Sequence, residues 1–161
     1  FILVYIENQI SVSFIDDLSG LYNRKYMNHY LDKLQNDKTK HVYGFLMDIN
    51  DFKTINDIYG HLKGDQAIIQ FGKILQHSID KDSVAIRMGG DEFVIFAILK
   101  SNEEALALKK RIEQNVRQFN TNSTEPFHLS FSIGMAKYSG NIETFLSSMD
   151  DSMYEAKTCI V

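Results

Sequence analysis

Two strand-like apolar stretches, separated by only four residues, constrain the fold of this chain more than any other feature. Residues 83–88 and 93–99 are rich in apolar side chains, and the residues between them read Gly-Gly-Asp-Glu. A glycine pair between two such stretches predicts a β-hairpin, whose strands run antiparallel. A hairpin at this place excludes a purely parallel sheet.

The periodicity of the remaining chain places helices around this hairpin. The apolar run 42–47 predicts a buried strand ending at Asp48, and several other segments have apolar residues at helical spacing. From Phe127 onward apolar and polar residues alternate, which predicts a strand with one buried and one polar face. The predicted order is helix, strand, two helices, hairpin, helix, strand, helix. It favours an α+β fold with a central, mostly antiparallel sheet flanked by helices.

Composition limits the domain count and the partners. The 161 residues are 44% apolar, which suits one domain with a sizeable core. The net charge of −4 argues against a nucleic-acid partner, because such domains usually carry clustered Lys and Arg. The single cysteine, Cys159, favours a reducing, cytoplasmic location.

The first fifteen residues are expected to differ from the rest. The opening FILVYI is too short to span a membrane, and Leu3, Ile6 and Ile10 have heptad-like spacing. We therefore predict a connecting or signalling helix over residues 1–15 and a globular domain over residues 16–161.

Acidic residues stand at both predicted strand ends. If the strand ending at Asp48 neighbours the hairpin, Asp48, Asp91 and Glu92 converge at one sheet edge. Such carboxylates repel one another unless a cation neutralises them, and oxygen ligands suit Mg²⁺ or Mn²⁺. Gly89 and Gly90 would let the backbone approach a bulky ligand. The alternative is an ordinary solvated turn.

The segment 47–66 adds groups suited to a nucleotide. It opens like a calcium loop, but Phe52 and Lys53 stand where that loop needs an acid or amide and then a glycine, and the chain has no P-loop motif. What remains besides Asp48 is Lys53, Asn56 and Asp65. A carboxylate can accept from guanine N1–H and its exocyclic amine, and an amide can pair with O6 or N3.

Five motifs in one order give the chain a family resemblance. They are DDLSGLYNRKYM, DINDFKTINDIYGHLKGD, RMGGDEF, SFSIGMA and DDSMYEAK, spread over residues 16–158. Together they resemble the GGDEF family of diguanylate cyclases. The resemblance implies condensation of two GTP molecules into cyclic di-GMP with release of pyrophosphate, on a fold similar to nucleotide cyclases and polymerase palm domains.

The resemblance also implies roles for individual residues. Asp48 and Asp91 match the metal-binding carboxylates, the Ile49 carbonyl is an expected backbone ligand, and Glu92 is expected to bind metal or to assist deprotonation. The expected cofactor is Mg²⁺ or Mn²⁺.

Substrate contacts follow in the same way. Asn56 and Asp65 match the guanine contacts, Lys53 and Lys157 match lysines that contact phosphate, and backbone around Phe52 would cradle the phosphates. We count Asp91, Glu92 and Lys53 as the expected catalytic residues, with Gly89 and Gly90 beside the substrate.

The inferred chemistry is two-metal phosphoryl transfer between two facing domains. Each domain carries one GTP, so a homodimer is expected to be needed for catalysis. The family usually joins this domain to a sensory or membrane segment, so such a segment is expected upstream in the full-length protein. The chain is expected to be cytoplasmic, either free or as the cytoplasmic domain of a membrane-anchored protein. The rival hypothesis is a non-catalytic GTP-binding signalling module.

Three departures from the family pattern carry expectations. An R-x-x-D motif for product inhibition is replaced by residues 80–83, Asp-Lys-Asp-Ser, so no feedback inhibition is expected through that site. Residues 158–161 lack the usual glycine and arginine, which implies weaker phosphate binding or a truncated end. Asn50 replaces a common Asp, which is tolerable because its side chain is not an expected ligand.

Overall fold

The structure is a computed structural model that describes residues 13–37 and 41–158. The predicted connecting helix lies almost wholly outside these ranges, as does Cys159. In the described part of the chain the elements are α1 Arg24–Asn36, β1 Val42–Ile49, α2 Phe52–Tyr59, α3 His61–Ser78, β2 Val84–Gly89, β3 Glu92–Ile98, α4 Asn102–Asn122, β4 Phe131–Lys137 and α5 Ile142–Thr158. The predicted order of elements is confirmed.

The four strands form one sheet in the order β2-β3-β1-β4, and every pairing is antiparallel. Strand β1 lies between β3 and β4, so the end of β1 lies beside the hairpin that joins β2 to β3. This arrangement confirms the predicted α+β fold with an antiparallel sheet.

Helices cover both faces of the sheet, because side chains along a strand point alternately to the two sides. In β1, Phe45 and Met47 face one core with α3 and α4. Val42 and Leu46 face the other core with α1 and α5. A strand buried on both faces reads as a continuous apolar run, as β1 does.

The strand predicted from Phe127 onward is wrong in two respects. Pairing with β1 begins only at Phe131, because the side chain of Asn120 holds Leu129: its Oδ1 accepts from Leu129 N at 2.8 Å, and its Nδ2 donates to Leu129 O at 2.7 Å. The supposedly polar face is also covered, since Ser132 is 2% exposed and Gly134 is buried against α5.

No helix in residues 13–37 and 41–158 is both long enough and apolar enough to cross a lipid bilayer.

Candidate active site

The hairpin tip lies beside the end of β1. Asp48 is the register partner of Glu92 across the β1–β3 pair, and Ile49 N donates to Asp91 O at 3.1 Å. The predicted neighbourhood of these strands is therefore confirmed. Residues separated by more than forty positions in sequence meet at one sheet edge.

The turn of the hairpin requires glycine for its backbone conformation. Gly89 has φ +150° and Gly90 has φ +54°, and a Cβ at either position would contact nothing within 4 Å. Glycine is thus favoured here because φ is positive at both positions, and not because a side chain would lack space. Open space beside the turn leaves room for a ligand to approach the backbone.

An arginine links the hairpin tip to the turn that precedes α1. Arg87 donates from Nε and Nη2 to Gly90 O at 3.0 and 2.9 Å, and its Nη1 lies 3.2 Å from both carboxylate oxygens of Asp16. Asp16 Oδ2 also accepts from Ser19 N and Oγ. The DDLSG turn and the arginine before the hairpin were both visible in the sequence, but nothing there joined them.

The environment of Asp16 lowers its pKa. Burial acts to raise the pKa, but the hydrogen bonds from Ser19 and the guanidinium of Arg87 outweigh it. A carboxyl with a depressed folded-state pKa stabilises the fold above its unfolded pKa, and this stabilisation is lost as pH falls through the folded pKa. The link between the DDLSG turn and the hairpin is therefore acid-sensitive.

We expect Asp16→Asn to lower the free energy of unfolding at pH 7 by about 1–2 kcal/mol, because it removes charge-assisted hydrogen bonds that are partly shielded from water. The difference from the parent should shrink as the pH falls below about 4, where the parent carboxyl also becomes protonated. Urea denaturation at several pH values measures both quantities.

The matched control is Asp17→Asn, since Asp17 is the neighbouring acid and is exposed. It should leave the unfolding free energy close to the parent value. Equal losses in the two variants, or a loss in Asp16→Asn that persisted unchanged at low pH, would contradict a specific role for the Asp16 carboxylate.

A lysine neutralises the carboxylate at the end of β1. Lys157 Nζ, from the last turn of α5, lies 3.0 Å from Asp48 Oδ1. Burial and then the charge of Asp48 raise the pKa of Asp91, while a backbone hydrogen bond, Lys157 and Arg87 act in the opposite direction. The net rise reflects burial first, with the neighbouring charge of Asp48 adding to it.

The donors at this edge fit a hard divalent cation in part. Residues 13–37 and 41–158 hold no cluster of three or more His, Cys, Asp or Glu side chains arranged for a metal ion, so the expected convergence of three carboxylates is not found there. Glu92 is exposed. Asp48, Asp91 and the Ile49 carbonyl supply oxygen donors, and Mg²⁺ usually keeps several sites for water and phosphate. The ammonium group beside Asp48 occupies a place suited to a cation.

Hydrogen bonds to β4 and to the residue before it fix the loop between β1 and α2. Asn50 donates from N to Ser130 O and from Nδ2 to Ser130 Oγ, and its Oδ1 accepts from Ser132 Oγ at 2.8 Å. Asp51 then adopts φ 54°, which non-glycine residues rarely do. The amide side chain at position 50 thus has a structural use that the sequence did not reveal.

The residues predicted to contact guanine lie on two adjacent helices. Asn56 lies on α2, Asp65 lies on α3, and Gly60 ends the first helix with its N–H donating to Asn56 O at 2.9 Å. Asp65 and Lys53 are exposed, whereas Asn56 is half-buried. Phe52 packs against the core at the start of α2.

Comparisons with known proteins show which family the chain is similar to. The family profile described as "Diguanylate cyclase, GGDEF domain" matches residues 13–159. The chain is 32% identical over 147 residues to diguanylate cyclase DgcM of Escherichia coli, which covers 88% of this chain and 35% of that protein. It is 31% identical over 161 residues to the response regulator PleD of Caulobacter vibrioides, with coverages of 94% and 36%.

A solved structure gives the same result for the fold. The GGDEF domain of YfiN (TpbB) from Pseudomonas aeruginosa matches with a TM-score of 0.79 at 27% identity, over 89% of this chain and 88% of that one. The chain thus spans a whole domain of that structure but only 35% and 36% of the lengths of DgcM and PleD. The profile match and the identities to these relatives show that the chain belongs to the GGDEF family of diguanylate cyclases.

Proposed function

We propose that this chain condenses two GTP molecules into cyclic di-GMP. The observation that carries the proposal is the approach of Asp48 and Asp91 at one sheet edge, with Lys157 Nζ 3.0 Å from Asp48. The relatives' names support the same activity.

The proposed metal ligands are Asp48, Asp91 and the Ile49 carbonyl, with Glu92 as a further acid at the hairpin. Bound Mg²⁺ or Mn²⁺, in a two-metal phosphoryl transfer, would supply neutralisation of the triphosphate and lower the pKa of the attacking 3′-hydroxyl. Asp48 and Asp91 must be ionised for this role. Burial and the nearby charge of Asp48 raise the pKa of Asp91, and a bound cation would act in the opposite direction.

The remaining proposed roles concern GTP itself. Asn56 and Asp65 hold the guanine edge, while Lys53, Lys157 and backbone around Phe52 hold the phosphates. Lys157 must leave Asp48 to reach a phosphate, and its half-exposed side chain has the freedom to do so. Gly89 and Gly90 leave the hairpin backbone open to a ligand, because no atom lies within 4 Å of a Cβ built at either position.

Two copies are required in this proposal, because each 3′-hydroxyl attacks the α-phosphate of the other GTP. The rate per subunit is therefore expected to rise with protein concentration until dimers dominate. A rate per subunit that stayed constant through the monomer regime would contradict the dimer requirement.

Incubation with GTP and Mg²⁺, followed by chromatography of the nucleotides, tests the activity. We expect cyclic di-GMP and pyrophosphate from the parent and no detectable product from Asp91→Ala, because that variant loses a proposed metal ligand. If the parent binds GTP but forms no product at any protein concentration, the alternative of a non-catalytic GTP-binding signalling module is the correct one.

Product inhibition is expected to be absent at the usual family site. Asp80 stands where that motif needs arginine, and its carboxylate lies 3.8 Å from Arg111 Nη2. Arg87 is already bound to Asp16 and Gly90. We expect the rate to be unchanged when micromolar cyclic di-GMP is added; strong inhibition below one micromolar, roughly 8 kcal/mol of binding free energy or more, would contradict this.

A further inference from the structure

A glycine on α3 faces the amide side chain of Asn56. Gly64 is buried, and a Cβ built on it would lie 2.8 Å from Asn56 Cγ and 3.3 Å from Nδ2, with Oδ1 closer still. Its φ is outside the left-handed range, so helix geometry alone does not demand glycine here. Glycine inside a helix is about 1 kcal/mol less favourable than alanine. What Gly64 provides is space for the Asn56 side chain.

We propose that Gly64 is a positioning residue for guanine recognition. Because glycine has no side chain, the Asn56 amide can lie against α3 beside position 64, next to Asp65 in the sequence. The inference rests on the proposed function, in which Asn56 and Asp65 contact guanine. The atoms that a Cβ would meet belong to the far end of a flexible side chain. An alanine therefore displaces the Asn56 amide and leaves the helices in place.

The two guanine contacts are distinguishable by the base used. Asn56 is assigned to O6 or N3, which hypoxanthine shares with guanine. Asp65 is assigned to N1–H and the exocyclic amine, and hypoxanthine lacks that amine. Displacement of Asn56 should lower the affinity for both bases by the same factor. Loss of the Asp65 carboxylate should lower the affinity for guanine more than the affinity for hypoxanthine.

Calorimetry with 3′-deoxy-GTP and 3′-deoxy-ITP, which cannot condense, tests this assignment. Gly64→Ala should bind both nucleotides about tenfold more weakly, the effect of one lost hydrogen bond, with their affinity ratio unchanged. Asp65→Ala should reduce the preference for 3′-deoxy-GTP over 3′-deoxy-ITP. Parent-like affinity in Gly64→Ala would overturn the proposal.

A double-mutant cycle tests whether Gly64 acts through Asn56. In an Asn56→Ala background, Gly64→Ala should cause no further loss of affinity, because the displaced group is already gone. A further loss would overturn the proposal. Gly72→Ala is the matched control on the same helix: its Cβ would lie 3.2 Å from Ser19 atoms, far from Asn56, and affinity should match the parent.

Thermal unfolding separates this inference from the proposed function. If the parent binds neither nucleotide, the proposed function has failed, but the steric effect of a Cβ at position 64 on the Asn56 side chain is still measurable. Gly64→Ala should raise the unfolding temperature more in the Asn56→Ala background than in the parent, because displacement no longer offsets the gain in helix propensity. Equal shifts in both backgrounds would overturn the steric coupling.

Discussion

Replacing Asp48 by asparagine is expected to lower the rate of cyclic di-GMP formation about a thousandfold, which corresponds to roughly 4 kcal/mol of activation free energy. The amide keeps the size of the side chain but loses the negative charge that the proposed cation needs. It also loses the ion pair with Lys157, whose Nζ lies 3.0 Å from the carboxylate. Steady-state assays at saturating GTP and Mg²⁺ measure the change.

Stability should barely change in this variant. The lost attraction to Lys157 is offset by relief of the repulsion between Asp48 and Asp91, which adds to burial in raising the pKa of Asp91. Asp57→Asn is the matched control, since Asp57 is an exposed acid on neighbouring α2. It should retain nearly the parent rate. A rate within tenfold of the parent in Asp48→Asn would exclude Asp48 as a metal ligand.

The fold could be predicted because its strongest signals are local. Side-chain period and turn chemistry are properties of neighbouring residues, and they gave the hairpin, the helices and the buried strand β1. The start of α4 is an example of such local chemistry, since Ser101 Oγ accepts from Glu104 N at 3.3 Å. The prediction of a strand from Phe127 was wrong because an alternating pattern indicates only that every second side chain is buried. Phe127 and Leu129 are buried in this way, but they do not pair with a strand of the sheet.

The acidic residues of the candidate site could be predicted from the sequence, but the side chains that hold them in place could not. Carboxylates at strand ends are conspicuous, and antiparallel pairing brought Asp48 to the hairpin. The contacts of Arg87 with Asp16 and of Lys157 with Asp48 join residues 71 and 109 positions apart, respectively. Such contacts depend on how helices dock on the sheet, which no local pattern encodes.

Replacing Gly134 by alanine is expected to destabilise the protein by about 4 kcal/mol or more, a large part of the stability of an ordinary domain. A Cβ there would lie 2.8 Å from Met153 Cα and closer still to Met149 O and Met153 N. These are backbone atoms of α5, so no rotamer change relieves the clash and the helix must move off β4. Urea denaturation followed by circular dichroism measures the loss.

Gly44→Ala is the matched comparison, because Gly44 in β1 faces the same helix. Its Cβ would meet Phe145 Cζ at 2.6 Å and Met149 Cε at 3.1 Å, which are ends of side chains that can rotate. Its cost should be smaller, about 1–3 kcal/mol. Any folded Gly134→Ala should also lose activity, because a displaced α5 carries Lys157 away from Asp48. Equal costs for the two variants would show that side-chain packing, and not the helix backbone, limits the approach of α5 to the sheet.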